Sequence, residues 1–521
     1  MLVTAAFLAI LSTAAIFLLI WRWRHFNYFN VLGIPGPKPN LIWGNIREYH
    51  SMEIYKVIGK WLDKYGDVFG FFNGDVPFVV IRDLDFIEDV FVRNFQNFVN
   101  RGITVMTDQM HPIMGQSILH VGGYKWKNIR TSVSLSLTSK KLKMMMQYIQ
   151  EDTSVFVQRL KEYADTGKEV QMLHKFEELS MDLTARGAFG INERFQGKPD
   201  HPFITTSKAV ARNMMKGPFY YIGQCTTRFG AMMKPLYWLS LIIGDYSFDP
   251  LNAQTMAVIN IRKNNPSLRR PDILQNLLDV EYTEENENEV AGANTAKGTV
   301  KSRVLTNEEV LITASSLFIA GFETTATALS YLIYALAKHQ DVQEKVRKEV
   351  IDAVGTNGEL DYETVTKKLK YMGSVVDETL RLYPPGLSFV TRQAKEDYVY
   401  NGILFKAGTC FMVPQYQVQR DPRYWPNPLE FKPERHSSDN EAALKKTAYT
   451  AFGVGPRQCV GTRLSLLEMR YVAGKMLQKY RLELGPSQKG TMELGQYAMV
   501  STPANGPWIL LRSLTNENIG R

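Results

Sequence analysis

Cysteine is scarce in this chain: three among 521 residues, Cys225, Cys410 and Cys459, far apart and in no C-x-x-C spacing. That pattern excludes a disulfide-stapled scaffold and a cysteine-built zinc centre, and suits a body kept in a reducing compartment. After residue 40 no Gly/Ser-rich or Pro-rich linker interrupts the chain and no internal repeat occurs, which excludes a string of tethered modules and a solenoid. A Lys/Arg-rich recognition element interleaved with aromatics is also missing. Nucleic acid is therefore not an expected partner, although the net charge is +9.

Charge itself is absent from residues 2–21, LVTAAFLAILSTAAIFLLIW. About 20 residues rising 1.5 Å each span the roughly 30 Å hydrocarbon core of a bilayer, so one helix can cross. Arg22, Arg24 and His25 follow and no basic residue precedes, which places the body on the cytoplasmic side and the N-terminus in the lumen. A cleaved signal would want a basic start and a shorter apolar centre, and a mitochondrial presequence would be Arg-rich and amphipathic. The expected layout is a transmembrane anchor over residues 1–24, a Pro-rich hinge over 25–40 that includes the stiff IPGPKP run, and a catalytic domain over 41–521.

What the chain does contain is the run FGVGPRQCVG, residues 452–461. A thiolate beside a flat macrocycle needs backbone that approaches without Cβ atoms, which Gly453, Gly455 and Gly461 allow. The spacing of apolar positions Leu464, Leu467, Met469, Val472, Met476 and Leu477 predicts a helix over 462–479. Cys459 then sits just ahead of a helix N-terminus, where free N–H groups and the dipole favour the thiolate. Arg457 can neutralise a propionate and Phe452 can shield the sulfur. The run is suited to holding a haem.

A second apolar stretch, Val310, Leu311, Ile312, Leu317, Phe318 and Ile319, follows a Thr306/Glu309 capping box and predicts a core helix over about 307–338. It contains Glu323 and Thr324, although a buried carboxylate costs several kcal/mol unless paired or used. Strand-like runs such as VPFVVI and TCFMVP lie within 50–100 and 385–415, whereas most of the remainder has helical periodicity.

At every expected position the 452–461 run resembles the haem-binding loop of the cytochrome P-450 superfamily, and further motifs occur in that family's order. Ala320-Gly321-Phe322-Glu323-Thr324-Thr325 is similar to its A/G-G-x-D/E-T-T segment. Glu378 and Arg381 match its E-x-x-R pair, and Pro433-Glu434-Arg435 its Pro-Glu-Arg-aromatic segment, with His436 in the aromatic's place. Trp126 and Arg130 match its W-x-x-x-R. The resemblance covers roughly residues 30 to 515 and is greatest to the microsomal clan of broad-specificity drug oxidases and thromboxane synthase.

The resemblance implies a mostly α P-450 fold with small β-sheets, a single large domain behind the anchor. It implies haem b with Cys459 as axial ligand, its propionates met by Trp126, Arg130, Arg457 and Arg392, with Phe452, Gly455 and Gly461 shaping the loop. It assigns Thr324 to proton delivery, Glu323 to the relay, and Glu378, Arg381 and Arg435 to a structural network behind the loop. The implied activity is a monooxygenase of the endoplasmic-reticulum membrane that inserts one atom of O2 into a lipophilic substrate. Electrons would come from NADPH through NADPH-cytochrome P-450 reductase, with cytochrome b5 left open as a second partner. Lys127, Arg130, Lys445, Lys446 and Arg463 are the expected docking face. Residues 214–248 are expected to roof the substrate pocket and dip into the bilayer, and the polar 283–303 to form a surface loop. Two alternatives stand beside this: an isomerase of a peroxide substrate, thromboxane-synthase-like, and a non-catalytic haem-binding membrane protein.

Overall fold

The computed structural model describes residues 2–102, 114–213, 215–243, 249–270, 272–279, 305–355, 358–440 and 445–514. The expected surface loop at 283–303 therefore lies outside the described residues. So do, within the expected pocket roof, Met214 and residues 244–248.

Contacts gather into two compact units, each assembled from three stretches of chain. The first comprises Met1–Gly115, Lys216–Asp245 and Ser388–Gln417. Near-continuous apolar runs, buried on both faces, make strands Val68–Asn73 and Val76–Ile81, which pair antiparallel around the Gly74-Asp75 turn with Phe71 opposite Phe78. Cys410–Met412 adds in parallel to Val76–Ile81, and Thr391–Gln393 closes a four-stranded sheet. One face of that sheet, with Phe69, Phe71, Phe78 and Val80, packs on Val57, Ile58, Trp61 and Leu62 of the helix Ile54–Tyr65. Cys410 lies in this core with no exposure, as an inert apolar residue.

The N-terminal helix of the same unit runs Leu2–Phe26. Its apolar window has none of its surface buried in the protein, as a lipid-facing span requires. Its last turn is fastened: Arg22 donates to the carbonyls of Leu41 (2.6 Å) and Ile42 (2.5 Å), and Phe26 is buried. The Pro-rich segment that follows is held as well. Gly70 donates its N–H to the Pro35 carbonyl at 2.9 Å, and a Cβ on Gly36 would collide with the Gly70 carbonyl oxygen. The expected Pro-rich hinge over 25–40 is thus docked backbone along part of its length.

The second unit comprises Gln116–Met215, Tyr246–Leu387 and Val418–Arg521. Its axis is the helix Asn307–Lys338, started by a complete capping box between Thr306 and Glu309. This helix is long and apolar enough to cross a bilayer, but 67% of its most apolar window is buried, so it is a core helix. Met172–Asp182, Lys370–Leu382 and Thr462–Lys479 pack around it. Lys370–Leu382 ends where Pro384 forbids the helical conformation of its predecessor, Tyr383. Small sheets border the helices: Val170–Gln171, Trp508–Ser513 and Tyr480–Leu484 form one, and the hairpin Leu494–Tyr497/Val500–Pro503 another. The hairpin is bolted to the segment after Lys370–Leu382 by Ser501 N–H to Pro385 O (2.7 Å) and Leu387 N–H to Met499 O (3.0 Å).

Candidate active site

All the expected haem and oxygen-site residues except Arg392 fall in the second unit. Cys459 lies on an exposed loop immediately before the helix Thr462–Lys479, and its N–H is tied back to the Phe452 carbonyl at 2.7 Å. That closure demands left-handed backbone at Gly453 (φ 86°) and Gly455 (φ 72°), which a side chain would strain. Gly461 adopts an ordinary φ of −85°, and a Cβ there would meet the Cys459 Sγ at 3.9 Å, a normal contact. The conformational argument therefore holds for Gly453 and Gly455 and does not extend to Gly461.

One side of the loop is cationic. Arg457 is buried and donates to the carbonyls of Leu119 (3.3 Å) and Val121 (2.5 Å), with its guanidinium 4.5 Å from the Trp126 ring centre. Trp126 and Arg130 project from one helix, Gly123–Ser136, one turn apart, and Arg130 donates to the Gln458 carbonyl at 2.6 Å. Burial pulls the Arg130 pKa down and the nearby Cys459 sulfur opposes it. An accessible thiol flanked by two guanidinium groups and an indole is the donor set a haem with two propionates requires. Ser316, Leu317, Ala320, Gly321 and Thr324 form an accessible stripe at helical spacing, although the core helix around them is buried. Among the described residues no cluster of three or more His, Cys, Asp or Glu is placed to hold a metal directly.

Arg392 falls in the first unit. It is buried on strand Thr391–Gln393, donates to the Thr391 carbonyl at 2.8 Å, and stacks over Phe91 at 4.8 Å. Burial, with Arg101 adding repulsion, pushes its pKa well down.

Behind the loop, Glu378 and Arg381 form a bidentate pair at 2.7 and 2.9 Å, neither side chain exposed. An isolated i, i+3 pair is ordinarily solvated; this one is core. Arg435 Nε approaches Glu378 at 3.3 Å, and His436 Nε2 lies 3.0 Å from the same carboxylate. The histidine thus occupies the family's aromatic position and adds a polar contact to the network. Burial alone would raise the Glu378 pKa, but Arg381 and His436 outweigh it and hold it at about 2. Gln419, absent from the sequence reading, carries the network to the loop: its amide donates to the Arg381 carbonyl (2.9 Å) while its oxygen accepts from Thr450 N–H (2.9 Å). Thr450 in turn accepts from Gly453 N–H at 2.8 Å.

On the core helix Glu323 is buried, and burial raises its pKa to about 7, with Glu177 adding to the rise and Tyr497, Arg212 and Lys208 opposing it. The Tyr497 hydroxyl donates to Glu323 Oε2. The Thr324 hydroxyl donates to the Ala320 carbonyl one turn back at 2.6 Å, within a helix that stays continuous past Gly321. Sequence reading also missed Glu468, on the helix that follows Cys459. It is buried, bonds the Thr325 side chain, and is pushed by burial to a pKa of about 8. An acid inside an otherwise apolar helix face was the available signal.

The family model described as Cytochrome P450 matches residues 34–510. Cytochrome P450 3A14 of Cavia porcellus is 31% identical over 494 residues, 92% of each chain. Cytochrome P450 3A2 of Rattus norvegicus is 30% identical over 502 residues (94% of this chain, 93% of the relative), and cytochrome P450 3A5 of Homo sapiens 30% over 477 (90% and 89%). A match that runs through the cysteine loop, the buried Glu-Arg pair and the acid-alcohol helix, and spans nearly the whole chain, makes this protein a member of the cytochrome P450 family, a haem-binding oxidoreductase of the monooxygenase class.

Proposed function

We propose that the chain inserts one oxygen atom from O2 into a lipophilic substrate, with electrons from NADPH delivered by NADPH-cytochrome P-450 reductase and cytochrome b5 as an optional second donor. It works as a single-pass protein of the endoplasmic-reticulum membrane, residues 1–24 its anchor, 25–40 the connection and 41–521 the cytosolic catalytic domain. The observation that carries this reading is a protonatable acid beside an alcohol, Glu323 and Thr324, where the core helix opens its accessible stripe.

Haem held by Cys459 would supply the iron for dioxygen activation, the thiolate making that iron electron-rich. The protein's own residues do the rest. Arg130 and Arg457 neutralise propionate charge and Trp126 donates its indole N–H; Phe452 shields the sulfur; Gly455 and Gly461 give the loop its close approach. The Glu378, Arg381 and Arg435 network fixes the loop from behind through Gln419. Glu323 exchanges a proton near neutral pH, and Thr324 hands protons onward from a hydroxyl one residue away. Ala320 and Gly321 keep the helix surface low, leaving room for dioxygen. Lys127, Lys445, Lys446 and Arg463 are exposed, as a docking face for an acidic partner requires.

An isomerase acting on a peroxide would have no use for a titrating acid and alcohol on the core helix, and a passive haem carrier would not either. The test is reconstitution with the reductase: NADPH consumption coupled to an oxygenated product supports the oxygenase. Turnover of a peroxide without reductase or NADPH would replace it with the isomerase.

A further inference from the structure

The C-terminal hairpin reaches the acid of the core helix at one point, the Tyr497 hydroxyl on Glu323 Oε2. Tyr497 ends the strand Leu494–Tyr497, next to Ala498 in left-handed conformation (φ 48°), and the hairpin is held rigidly. Besides the backbone bonds to Pro385 and Leu387, the Ser501 hydroxyl donates to the Pro384 carbonyl at 2.7 Å and accepts from Tyr331 of the core helix at 3.3 Å. The phenol is therefore delivered by a fixed arm. The second carboxyl oxygen, Glu323 Oε1, is buried and has no hydrogen-bond partner in the structure. A buried carboxyl with one oxygen occupied and the other unpaired carries its proton on the unpaired one.

The groups facing this pair come from three elements. Tyr497 belongs to the hairpin. Lys208 and Arg212 come from the helix Pro202–Asn213, with the Arg212 guanidinium 5.9 Å from the Tyr497 ring centre. Glu177 and His174 come from Met172–Asp182, where buried Glu177 holds Lys208 at 2.6 Å, His174 at 3.1 Å and Arg212 at 3.9 Å. His174 and Arg212 are 61% and 48% exposed, so this polar set runs from solvent to the phenol.

We propose that Tyr497 is the positioning residue of the proton-relay acid: by holding Glu323 Oε2 from the C-terminal hairpin it leaves Oε1 as the oxygen that exchanges the proton, and sets the pH at which it does so. The inference rests on the relay reading of Glu323 given above. No electrons move at Tyr497 and no bond other than O–H breaks: the proton that leaves Glu323 Oε1 is replaced by one from solvent water. Since Tyr497 donates to the carboxyl, it favours the ionised form, and its loss must raise the Glu323 pKa.

The test is infrared difference spectroscopy of the haem-loaded protein across pH, the protonated-carboxyl band of Glu323 being assigned by its absence in Glu323→Gln. The wild-type midpoint is expected near the value of about 7 that its surroundings impose. In Tyr497→Phe it should move up by about one to two pH units, the worth of a hydrogen bond to a charged group. Tyr497→Gln, which restores a donor, should bring it part of the way back, and the pH profile of product formed per NADPH should move with it. An unchanged midpoint in Tyr497→Phe, or no return in Tyr497→Gln, would overturn the proposal. If Glu323→Gln itself leaves product per NADPH unaltered, the relay reading fails instead, whatever Tyr497 does.

Discussion

At the scale of single residues, the site depends on where a proton is allowed to sit. Glu323 and Glu468 lie on two different helices that pack together, and both are held by burial with pKa values far above an ordinary carboxyl. For Glu468 the sign is fixed: an acid whose folded pKa of about 8 exceeds its unfolded value costs stability as pH rises from the unfolded carboxyl value to about 8. Glu468→Gln should remove that slope while keeping the polar partner of Thr325, which thermal melting at pH 5 and pH 8.5 would show. A variant that keeps the wild-type slope would mean that Glu468 is ionised in the fold. Thr324 has a different duty. Thr324→Ala should leave NADPH oxidation running while product per NADPH falls roughly tenfold or more, as loss of a positioned proton donor does; undiminished coupling would remove Thr324 from the relay.

At the scale of elements, the helices and their caps were legible because their signals are local. The Thr306/Glu309 box and the apolar period placed both ends of Asn307–Lys338, and the apolar positions after Cys459 placed Thr462–Lys479. What was illegible pairs residues distant in sequence: Tyr497 with Glu323, 174 positions apart, and Gln419 with Thr450, 31 apart. No periodicity announces such pairs, and the replacement of an aromatic by His436 gave no sign that its ring would join the Glu378 network. That network makes two predictions. Arg381→Ala leaves the Glu378 carboxylate buried beside fewer donors and should cost about 3–5 kcal/mol, read as a lowered melting temperature with loss of haem. Gln419→Leu should preserve the fold but loosen the Thr450-Gly453 turn, so that haem dissociates faster at an unchanged melting temperature of the apoprotein; equal retention of haem would show that Gln419 does not hold the loop.

At the scale of the whole molecule, the resemblance implied one large domain behind an anchor and gave no sign of a division into two units, because each unit is built from three separate stretches of chain. The first unit presents apolar side chains to solvent beyond the anchor itself: Met232 is 78% exposed, Trp238 57% and Ile242 81%. Patches of that kind mark a partner or a membrane. Removal of residues 2–20, which spares Arg22 and its bonds to the Leu41 and Ile42 carbonyls, should leave a protein that still floats with liposomes, and Trp238→Glu with Ile242→Glu should abolish the residue of binding. Flotation unaffected by the two glutamates would place the contact elsewhere.

The proposed oxygenase activity depends on a thiolate from Cys459 reaching haem iron. The carbon-monoxide difference spectrum of the reduced protein, wild type beside Cys459→Ala, tests that most directly. A strongly red-shifted Soret band in the wild type that vanishes in the variant is the predicted result. A folded, haem-loaded wild type without that band would show that Cys459 is not the ligand, and would contradict the oxygenase account.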